Sequence, residues 1–401
     1  MLRRASFLSV ALALLLPVLA ATVDAGTSWA SRDPAPGSLT WRSVGSVDAD
    51  VCDVVRPGRA GCLAVRHETV TSDGKHVEKS ASSSGFGPAD IRSAYGLSAS
   101  SSATVAIVDA FDDPTAEADL ATYRRNYNLP PCTTANGCFK KVDGTGGTNY
   151  PRKDGAWAQE ISLDLDMVSA TCPTCHILLV EAKTDYMTDL ATAVQYAGTV
   201  RGVTAISNSY GGRDSAETSA YNQPGIAITA STGDGGYGVK SPASYPHVIA
   251  VGGTSLTRSS GARGWTESAW SGAGSGCSTQ NAKPTWQLAT TQCAGKANTD
   301  VSAVADPKTG VAVYDSTGYQ GWGGWMTFGG TSASSPIVAS IYALSGRTAG
   351  YPASYTWAHA SGLNDVKAGD NGTCTVTVWC HSASGWDGPT GLGTPNGVSG
   401  F

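Results

Sequence analysis

The feature that most constrains the fold is a series of short apolar runs separated by segments with helical periodicity. The runs have the length of strands and contain few polar residues, and they span residues 104–111, 176–182, 203–209, 226–231 and 248–251. Strands that are apolar along their whole length are typical of parallel sheets covered on both faces. The sequence therefore predicts an α/β fold with three layers, in which helices flank a mostly parallel central sheet.

Helical patterns lie between and beyond these runs. Residues 113–127, 157–168 and 186–200 have the spacing of helices, and a further apolar run, 337–344, follows a Gly-Gly-Thr-Ser loop. In folds of this class the functional groups gather at the carboxyl ends of the strands. We therefore expect Asp109, Asp234 and the helix that begins near Ser332 to lie close together.

The N-terminus has the pattern of an export signal. Arg3 and Arg4 precede the apolar stretch 7–21, and small residues follow as far as Ala25. This predicts a signal peptide over residues 1–25 and a secreted, extracellular protein. The alternative is a membrane anchor, but the stretch is shorter than the roughly 20 residues that a spanning helix needs. Residues 26–82 are predicted to be a short pro-segment or an N-terminal subdomain, and residues 83–401 the main domain.

Composition excludes several classes of partner. The net charge of the 401 residues is −5, and the chain has neither a basic patch nor a long run of charges. Nucleic-acid binding and attachment to an anionic membrane after removal of the signal are therefore not expected. We expect a monomer.

Ten cysteines fall into five neighbouring couples. Local disulfides are the simplest interpretation in an exported chain, although sequence does not prove the pairing. Cys172-Pro173-Thr174-Cys175 could instead be a redox motif or half of a metal site. The couples are Cys52 and Cys62, Cys132 and Cys138, Cys172 and Cys175, Cys277 and Cys293, and Cys374 and Cys380.

Ser332 is the candidate nucleophile. It lies where a helix is predicted to begin, with Pro336 in the first turn. Free backbone N–H groups and the positive end of the helix dipole stabilise an alkoxide or an oxyanion at such a place. The alternative is that Ser332 only caps the helix.

A serine hydroxyl needs a neighbouring base to remove its proton. Among the six histidines, His176 begins an apolar strand and His247 lies in a loop, so neither has the setting of a catalytic base. Glu160 and Asp164 offer a carboxyl pair one turn apart on the predicted helix 157–168. Such a pair is expected to share a proton and to titrate as a unit. Alternatively, both belong to a solvated helix face.

Six motifs in a fixed order resemble the sedolisin (serine-carboxyl peptidase) family, which has a subtilisin-like fold. The match runs from about Gly85 to the C-terminus, and no single motif is specific by itself. The motifs are Glu160-x-x-x-Asp164 and residues 231–235, 245–254, 300–307, 329–332 and 385–393.

The resemblance implies a role for each candidate residue. Ser332 would be the nucleophile, Glu160 the general base and later acid, and Asp164 the carboxylate that orients Glu160 and shares its proton. Asp234 would be protonated and donate a hydrogen bond to the developing oxyanion, although a plain turn residue is the alternative. Asp109, at the end of the first strand, is where subtilisin-like enzymes place their triad aspartate. We interpret it as a structural residue or one at the rim of the site.

The C-terminal part resembles the calcium loop of the same family. The resemblance implies one structural Ca²⁺ ion held by carboxylate and backbone carbonyl oxygens, the ligands that calcium prefers. The alternative is that both aspartates only cap loops. The implied ligands are Asp365, Val366, Ala383, Gly385 and Asp387.

Taken together, these features predict a secreted serine-type endopeptidase of proteins or peptides that is active in acid. Its acyl-enzyme would form on Ser332. One alternative is a subtilisin-like peptidase with a Ser/His/Asp triad. Another is a catalytically inactive secreted binding protein that keeps the same scaffold.

Overall fold

The apolar runs become the strands of a central sheet. In the computed structural model, which describes residues 44–53, 55–71 and 84–401, the strand order of this sheet is β12-β11-β9-β7-β4-β6-β5, with β15 beside β11. Every pair in it is parallel except the pair of β11 with β12. The predicted signal peptide lies outside the described residues. The strands of the described residues are β1 (Val44–Asp50), β2 (Gly61–Cys62), β3 (Val65–Thr71), β4 (Thr104–Ala110), β5 (Phe139–Asp143), β6 (His176–Ala182), β7 (Val203–Asn208), β8 (Tyr210–Arg213), β9 (Ala227–Ser231), β10 (Lys240–Ser241), β11 (Ile249–Arg258), β12 (Trp265–Ala269), β13 (Cys277–Ala282), β14 (Gly295–Ala297), β15 (Val301–Val304), β16 (Val311–Tyr319), β17 (Trp322–Gly329), β18 (Leu363–Asn364) and β19 (Thr394–Pro395).

Helices pack onto this sheet. The helices α3 and α5 contact each other, and between them they contact β4, β7 and β9, whereas α4 packs on β4, β6 and β7. The predicted α/β fold with a mostly parallel central sheet is therefore confirmed. The helices of the described residues are α1 (Pro88–Ala94), α2 (Ala116–Asn126), α3 (Gly155–Thr171), α4 (Met187–Ala197), α5 (Thr331–Ser345) and α6 (Pro352–Ala358).

Most element boundaries differ from the sequence-based expectation by one to three residues, and two larger differences have a clear physical reason. The strand expected at 248–251 is Ile249–Arg258, because its second half pairs with antiparallel β12 and leaves Thr257 and Arg258 exposed. Pro336 was expected in the first turn of its helix, which is wrong: α5 begins at Thr331 and contains Pro336 in its interior. A helical proline removes the hydrogen bond to the carbonyl four residues before it, here that of Ser332. The Ser209 hydroxyl oxygen lies 3.4 Å from the Ser332 carbonyl.

The N-terminal strands belong to a second sheet of four strands in the order β1-β3-β17-β16. The strand β3 pairs antiparallel with β17, which leads directly into α5. Residues 44–53 and 55–71 therefore lie against the main domain beside the start of that helix.

All five cysteine couples form the expected local disulfides, including Cys172 with Cys175. The disulfide leaves no free thiolate of Cys172 or Cys175 to bind a metal, and both cysteines are fully buried, unlike the accessible cysteines of redox motifs. Across the described residues, no helix combines the length and the hydropathy that crossing a membrane would require.

Candidate active site

Three adjacent parallel strands bring the candidate residues together. The strands β4, β7 and β9 lie side by side, and at or just beyond their carboxyl ends come Asp109, Ser209 and Asp234. The helix α5 begins at the same edge, where both the backbone N–H and the hydroxyl of Thr331 donate to Asp234 Oδ1 at 2.8 Å. Parallel strands all end at one edge, so the topology accounts for this convergence.

Ser332 is the second residue of α5 and is fully buried. Its hydroxyl donates to the Ser209 carbonyl at 3.2 Å. Gly330 precedes the helix with a φ of 89°, a conformation that favours glycine, and a Cβ there would also lie 2.8 Å from Asp234 Oδ2. The Gly-Gly-Thr-Ser sequence is therefore required by close backbone approach as well as by the turn.

Glu160 points into the protein from α3 and lies near Ser332. It is fully buried, and neither carboxyl oxygen meets hydrogen-bond geometry with any residue that the structure describes. Burial, followed by the charge of Asp109, raises the pKa of Glu160 well above its usual value, whereas the nearby Ser332 hydroxyl acts to lower it. A buried carboxyl beside a serine is placed to accept the serine proton. The alternative of a solvated helix face does not fit this burial.

Asp164 occupies the next turn of α3 and is equally buried. Its two oxygens accept hydrogen bonds from the Ser209 hydroxyl at 2.7 and 2.8 Å. Burial first, then the charges of Asp109 and Glu160, raise the pKa of Asp164 well above its usual value. Asp164 and Glu160 therefore affect each other's pKa through their charges and not through a direct hydrogen bond. The residue that holds the Asp164 carboxyl in place is Ser209.

Asp109 is a third member of this carboxyl cluster. It is fully buried near the end of β4, which fits the expectation of a structural residue better than the alternative of a residue at the rim of the site. Its oxygens have no hydrogen-bond partner among the described residues, and burial raises its pKa to about 8. Asp109, Glu160 and Asp164 are buried carboxyl groups whose charges raise one another's pKa, so they titrate as a coupled group and not independently.

Asp234 lies on the other side of Ser332. Its Oδ2 is buried and has no partner among the described residues, while Oδ1 accepts both bonds from Thr331. Burial raises the pKa of Asp234 to about 7, against the opposing effect of Thr331. Below neutral pH this group is a neutral acid whose proton is available to a nearby oxygen.

The described histidines have partners away from Ser332. His247 Nδ1 contacts Glu217 Oε2 at 2.7 Å, and His67 Nδ1 contacts Asp48 at 2.6 Å. His176 is exposed at the start of β6. Within the described ranges, an imidazole therefore does not take the place of Glu160 beside the nucleophile.

The implied calcium ligands lie in two loops near the C-terminus. Asp387 is fully buried and accepts hydrogen bonds from Thr390 and from the Ala383 N–H, and Asp365 accepts from the Gly385 N–H at 3.1 Å. Burial, with a contribution from Asp365, raises the pKa of Asp387 to about 7. The carboxyl groups of Asp365 and Asp387 are neighbours that repel each other when both are ionised. Their oxygen atoms are ligands that fit a hard divalent cation. Val366 is the remaining implied ligand and is buried beside them.

Two contributors to the site were not predicted from the sequence. Ser209 binds Asp164 and also presents its carbonyl to Ser332, and the signal for it is its position directly after the buried strand β7. Leu63 comes from the N-terminal segment, and its carbonyl accepts a hydrogen bond from the Ser332 N–H at 3.3 Å. This contact joins two backbone groups, so the pattern of side chains in the sequence does not reveal it.

Comparisons with known proteins agree with this architecture. The model of the subtilase family (Peptidase S8) matches residues 142–372. The chain is 32% identical to sedolisin of Pseudomonas sp. (strain 101) over 177 residues, which is 39% of this chain and 29% of the relative. It is 29% identical to kumamolisin of Bacillus sp. (strain MN-32) over 296 residues, 63% of this chain and 52% of the relative.

The matched regions thus span only 29% and 52% of the length of these two curated relatives. A solved structure of Pseudomonas sedolisin (serine-carboxyl proteinase), complexed with two molecules of pseudo-iodotyrostatin, superposes with a TM-score of 0.66. That match covers 79% of this chain and 96% of the other at 24% identity, so it supports the fold. The chain therefore belongs to the subtilase family, and the curated relatives that it resembles include sedolisin and kumamolisin.

Proposed function

We propose that this protein is a secreted serine-carboxyl endopeptidase that is active in acid. The observation that carries the proposal is a buried carboxyl group, Glu160, beside the Ser332 hydroxyl where other serine peptidases use an imidazole. Residues 60–65 run past Ser332 on both sides, which favours cleavage within chains over removal of short N-terminal peptides.

In the proposed reaction, Glu160 acts in its ionised form, while the protons of the coupled cluster reside on Asp109 and Asp164. Glu160 takes the proton of Ser332 Oγ as the oxygen attacks the carbonyl carbon of the substrate. The Ser332 N–H and protonated Asp234 donate hydrogen bonds to the oxyanion that develops. Glu160 then gives its proton to the leaving amine, and water hydrolyses the acyl-enzyme by the reverse sequence. Asp109 and Asp164 act as positioning residues because their charges set how readily Glu160 holds a proton.

We expect kcat/KM for a denatured protein to be highest in acid and to fall as the pH rises through about 7, the raised pKa of Asp234. Asp234 donates only when protonated, so its function is present below this pKa and is lost above it. The loss should approach about tenfold per pH unit above that point. The measurement is a steady-state pH–rate profile. A profile that rises into the alkaline range would contradict the proposal.

Asp234→Asn is the matched variant for this profile. An amide donates a hydrogen bond at every pH, so we expect the neutral limb of the profile to move to higher pH. The acidic limb belongs to the carboxyl cluster around Glu160 and should stay where it is. An unchanged neutral limb in the variant would exclude Asp234 as its cause.

The C-terminal loops are proposed to bind one structural calcium ion through Asp365, Asp387 and backbone carbonyls. Addition of a chelator should then lower the thermal midpoint of unfolding. If free calcium stands about 100-fold above its Kd, the loss is about 3 kcal/mol. Differential scanning calorimetry of the wild type and of Asp387→Asn provides the test. The wild type should respond to chelator more strongly than the variant, and equal responses of the two proteins would refute the site.

A further inference from the structure

Three buried carboxyl groups converge where α2 packs against β16. They belong to Asp113, which precedes α2, to Asp119 in the first turn of α2, and to Asp315 on β16. One oxygen of each carboxyl lies within 4.8 Å of one oxygen of each of the other two. Asp113 and Asp315 are fully buried, and Asp119 is 3% exposed. Since Asp315 lies far along the chain from the other two, the fold and not local spacing brings the group together.

One carboxyl oxygen of this group lacks a hydrogen-bond partner. Asp113 Oδ1 accepts from the Thr115 N–H at 3.0 Å. Asp113 Oδ2 is buried and meets hydrogen-bond geometry with none of the residues that the structure describes. An unpaired carboxylate oxygen in the interior of a protein is costly unless a cation or a proton balances its charge. The Asp113 carboxyl therefore has one oxygen available for such a partner.

Asp143 has the same local turn but a complete set of partners. In both Asp113 and Asp143, Oδ1 accepts from the N–H and the hydroxyl of the threonine two residues later, at 3.0 Å and at 2.8 Å respectively. Asp143 Oδ2, however, also accepts from the Asn149 N–H at 3.0 Å. The turn therefore accounts for one oxygen of Asp113 and leaves the other unexplained.

Positive charge from the protein does not neutralise the three carboxyls. Within the part of the chain that the structure describes, the ion pairs include none of these aspartates. Arg124, on the same helix, donates to two backbone carbonyls and a serine hydroxyl instead. The N-terminus of α2 supplies only about half a positive charge. Burial first, then the charge of Asp113, raises the pKa of Asp315 to about 7.

Two threonine hydroxyls add neutral oxygens to the group. Thr115 Oγ1 lies 3.0 Å from Asp113 Oδ1 and 2.7 Å from Asp119 Oδ2. Thr317 Oγ1 lies 2.7 Å from that hydroxyl and 3.0 Å from Asp113 Oδ1. Two hydroxyl protons therefore serve four contacts between oxygens. The group has many acceptors and few donors, and calcium binds to oxygen ligands of these kinds.

We propose that Asp113, Asp119 and Asp315 bind a calcium ion, which is distinct from the one proposed for the C-terminal loops. Two oxygens that bind one calcium ion at about 2.3–2.6 Å lie at most about 5 Å apart, and the carboxyl oxygens satisfy this limit. Calcium fits better than magnesium, because magnesium keeps several waters and usually takes only one or two carboxylates. The ion joins α2 to β16, whose partner strand β17 leads into the helix of Ser332.

The test is a count of bound calcium ions by isothermal titration calorimetry at neutral pH, on full-length protein freed of metal with chelator. Asp113→Asn is the direct variant. Asparagine keeps the oxygen that the Thr115 N–H binds, and it places an NH₂ group at the position of the unpaired oxygen. That group repels a cation but donates to the neighbouring carboxyl oxygens. We expect the wild type to bind two calcium ions per chain and Asp113→Asn to bind one.

Two further variants assign the sites. Asp387→Asn disables the C-terminal site and should bind one ion, and the double variant of Asp113→Asn with Asp387→Asn should bind none. Asp143→Asn is the matched control, because Asp143 forms the same turn with a threonine but does not belong to the group. It should bind two ions, as the wild type does.

The thermal midpoint of unfolding separates loss of the site from loss of the fold. Asp113→Asn removes one of three buried carboxyls that repel one another, so in chelator its midpoint should be at least that of the wild type. Added calcium should raise the midpoint of Asp387→Asn and leave that of the double variant unchanged.

Two results would overturn the inference without touching the peptidase function. They are an Asp113→Asn variant that binds as many ions as the wild type, and an Asp387→Asn variant that binds none. A wild type that binds a single ion, which Asp387→Asn keeps and Asp113→Asn loses, would support this site and refute the C-terminal one.

Discussion

Ser332→Ala is expected to lower kcat/KM for a denatured protein by about 10⁴-fold or more, because no acyl-enzyme can form without the hydroxyl. The change removes one hydrogen bond, from Ser332 Oγ to the Ser209 carbonyl. The cost in the free energy of unfolding should be only about 1 kcal/mol. Loss of activity should therefore not come from loss of fold, which circular dichroism and the thermal midpoint will check.

Ser340→Ala is the matched control for that variant. Ser340 lies in the same helix and is buried, and its hydroxyl has no partner among the described residues. Removal of this hydroxyl should leave kcat/KM within about twofold of the wild type, because it makes no hydrogen bond among the described residues and lies outside the candidate site. If Ser332→Ala kept activity in acid, the nucleophile would be another group. If the wild type itself were inactive, the alternative of a binding protein on this scaffold would stand.

Glu160→Gln is expected to lower kcat/KM by about 10²- to 10⁴-fold, the contribution of general acid–base catalysis. Glutamine has nearly the same shape but cannot take the Ser332 proton. Combined with Ser332→Ala it should cause little additional loss, because the two groups act as a unit. A decrease of less than tenfold for the single variant would place the base elsewhere.

Glu160→Gln is expected to lower activity but not to lower the free energy of unfolding. The pKa of Glu160 is raised in the folded state, so its contribution to stability is full below its unfolded pKa and is lost as the pH rises through the folded value. Glutamine does not titrate. Glu160→Gln should therefore be at least as stable as the wild type at neutral pH and gain on it as the pH rises, which urea unfolding at several pH values will measure.

Asp166→Asn is the control for Glu160→Gln. Asp166 is a buried carboxyl of the same helix, but it accepts the Tyr314 N–H and not a group near Ser332. Asparagine can accept the same bond. Its kcat/KM should stay close to that of the wild type, so a large loss in Glu160→Gln alone would identify proton transfer as the cause.

Side-chain chemistry made much of the site predictable. Glu160 and Asp164 are one turn apart in any α-helix, and the Gly-Gly-Thr-Ser loop before an apolar run predicted a helix start near Ser332, one residue from the observed start at Thr331. The buried strands of the central sheet were recognisable because parallel strands are apolar on both faces. The extension of β11 was missed because its second half obeys the different pattern of an antiparallel edge.

Contacts between backbone groups could not be predicted from side-chain patterns. The position of Leu63 against Ser332 depends on main-chain hydrogen bonds, which any residue can form, and on the pairing of β3 with β17 more than 250 residues away in the chain. The role of Ser209 likewise depends on β7 lying between β4 and β9. Neither arrangement is encoded by local spacing.

The α/β architecture, the five neighbouring cysteine couples and the carboxyl and hydroxyl groups available for chemistry were predictable from the chain alone, because they follow from local composition and spacing. The sequence did not predict that Asp109 joins Glu160 and Asp164 in one buried cluster. It also did not predict that the Leu63 carbonyl contacts the Ser332 N–H. Burial and long-range pairing are properties of the whole packed chain. Burial determines the pKa values of the carboxyl groups, and long-range strand pairing determines which backbone carbonyl contacts Ser332.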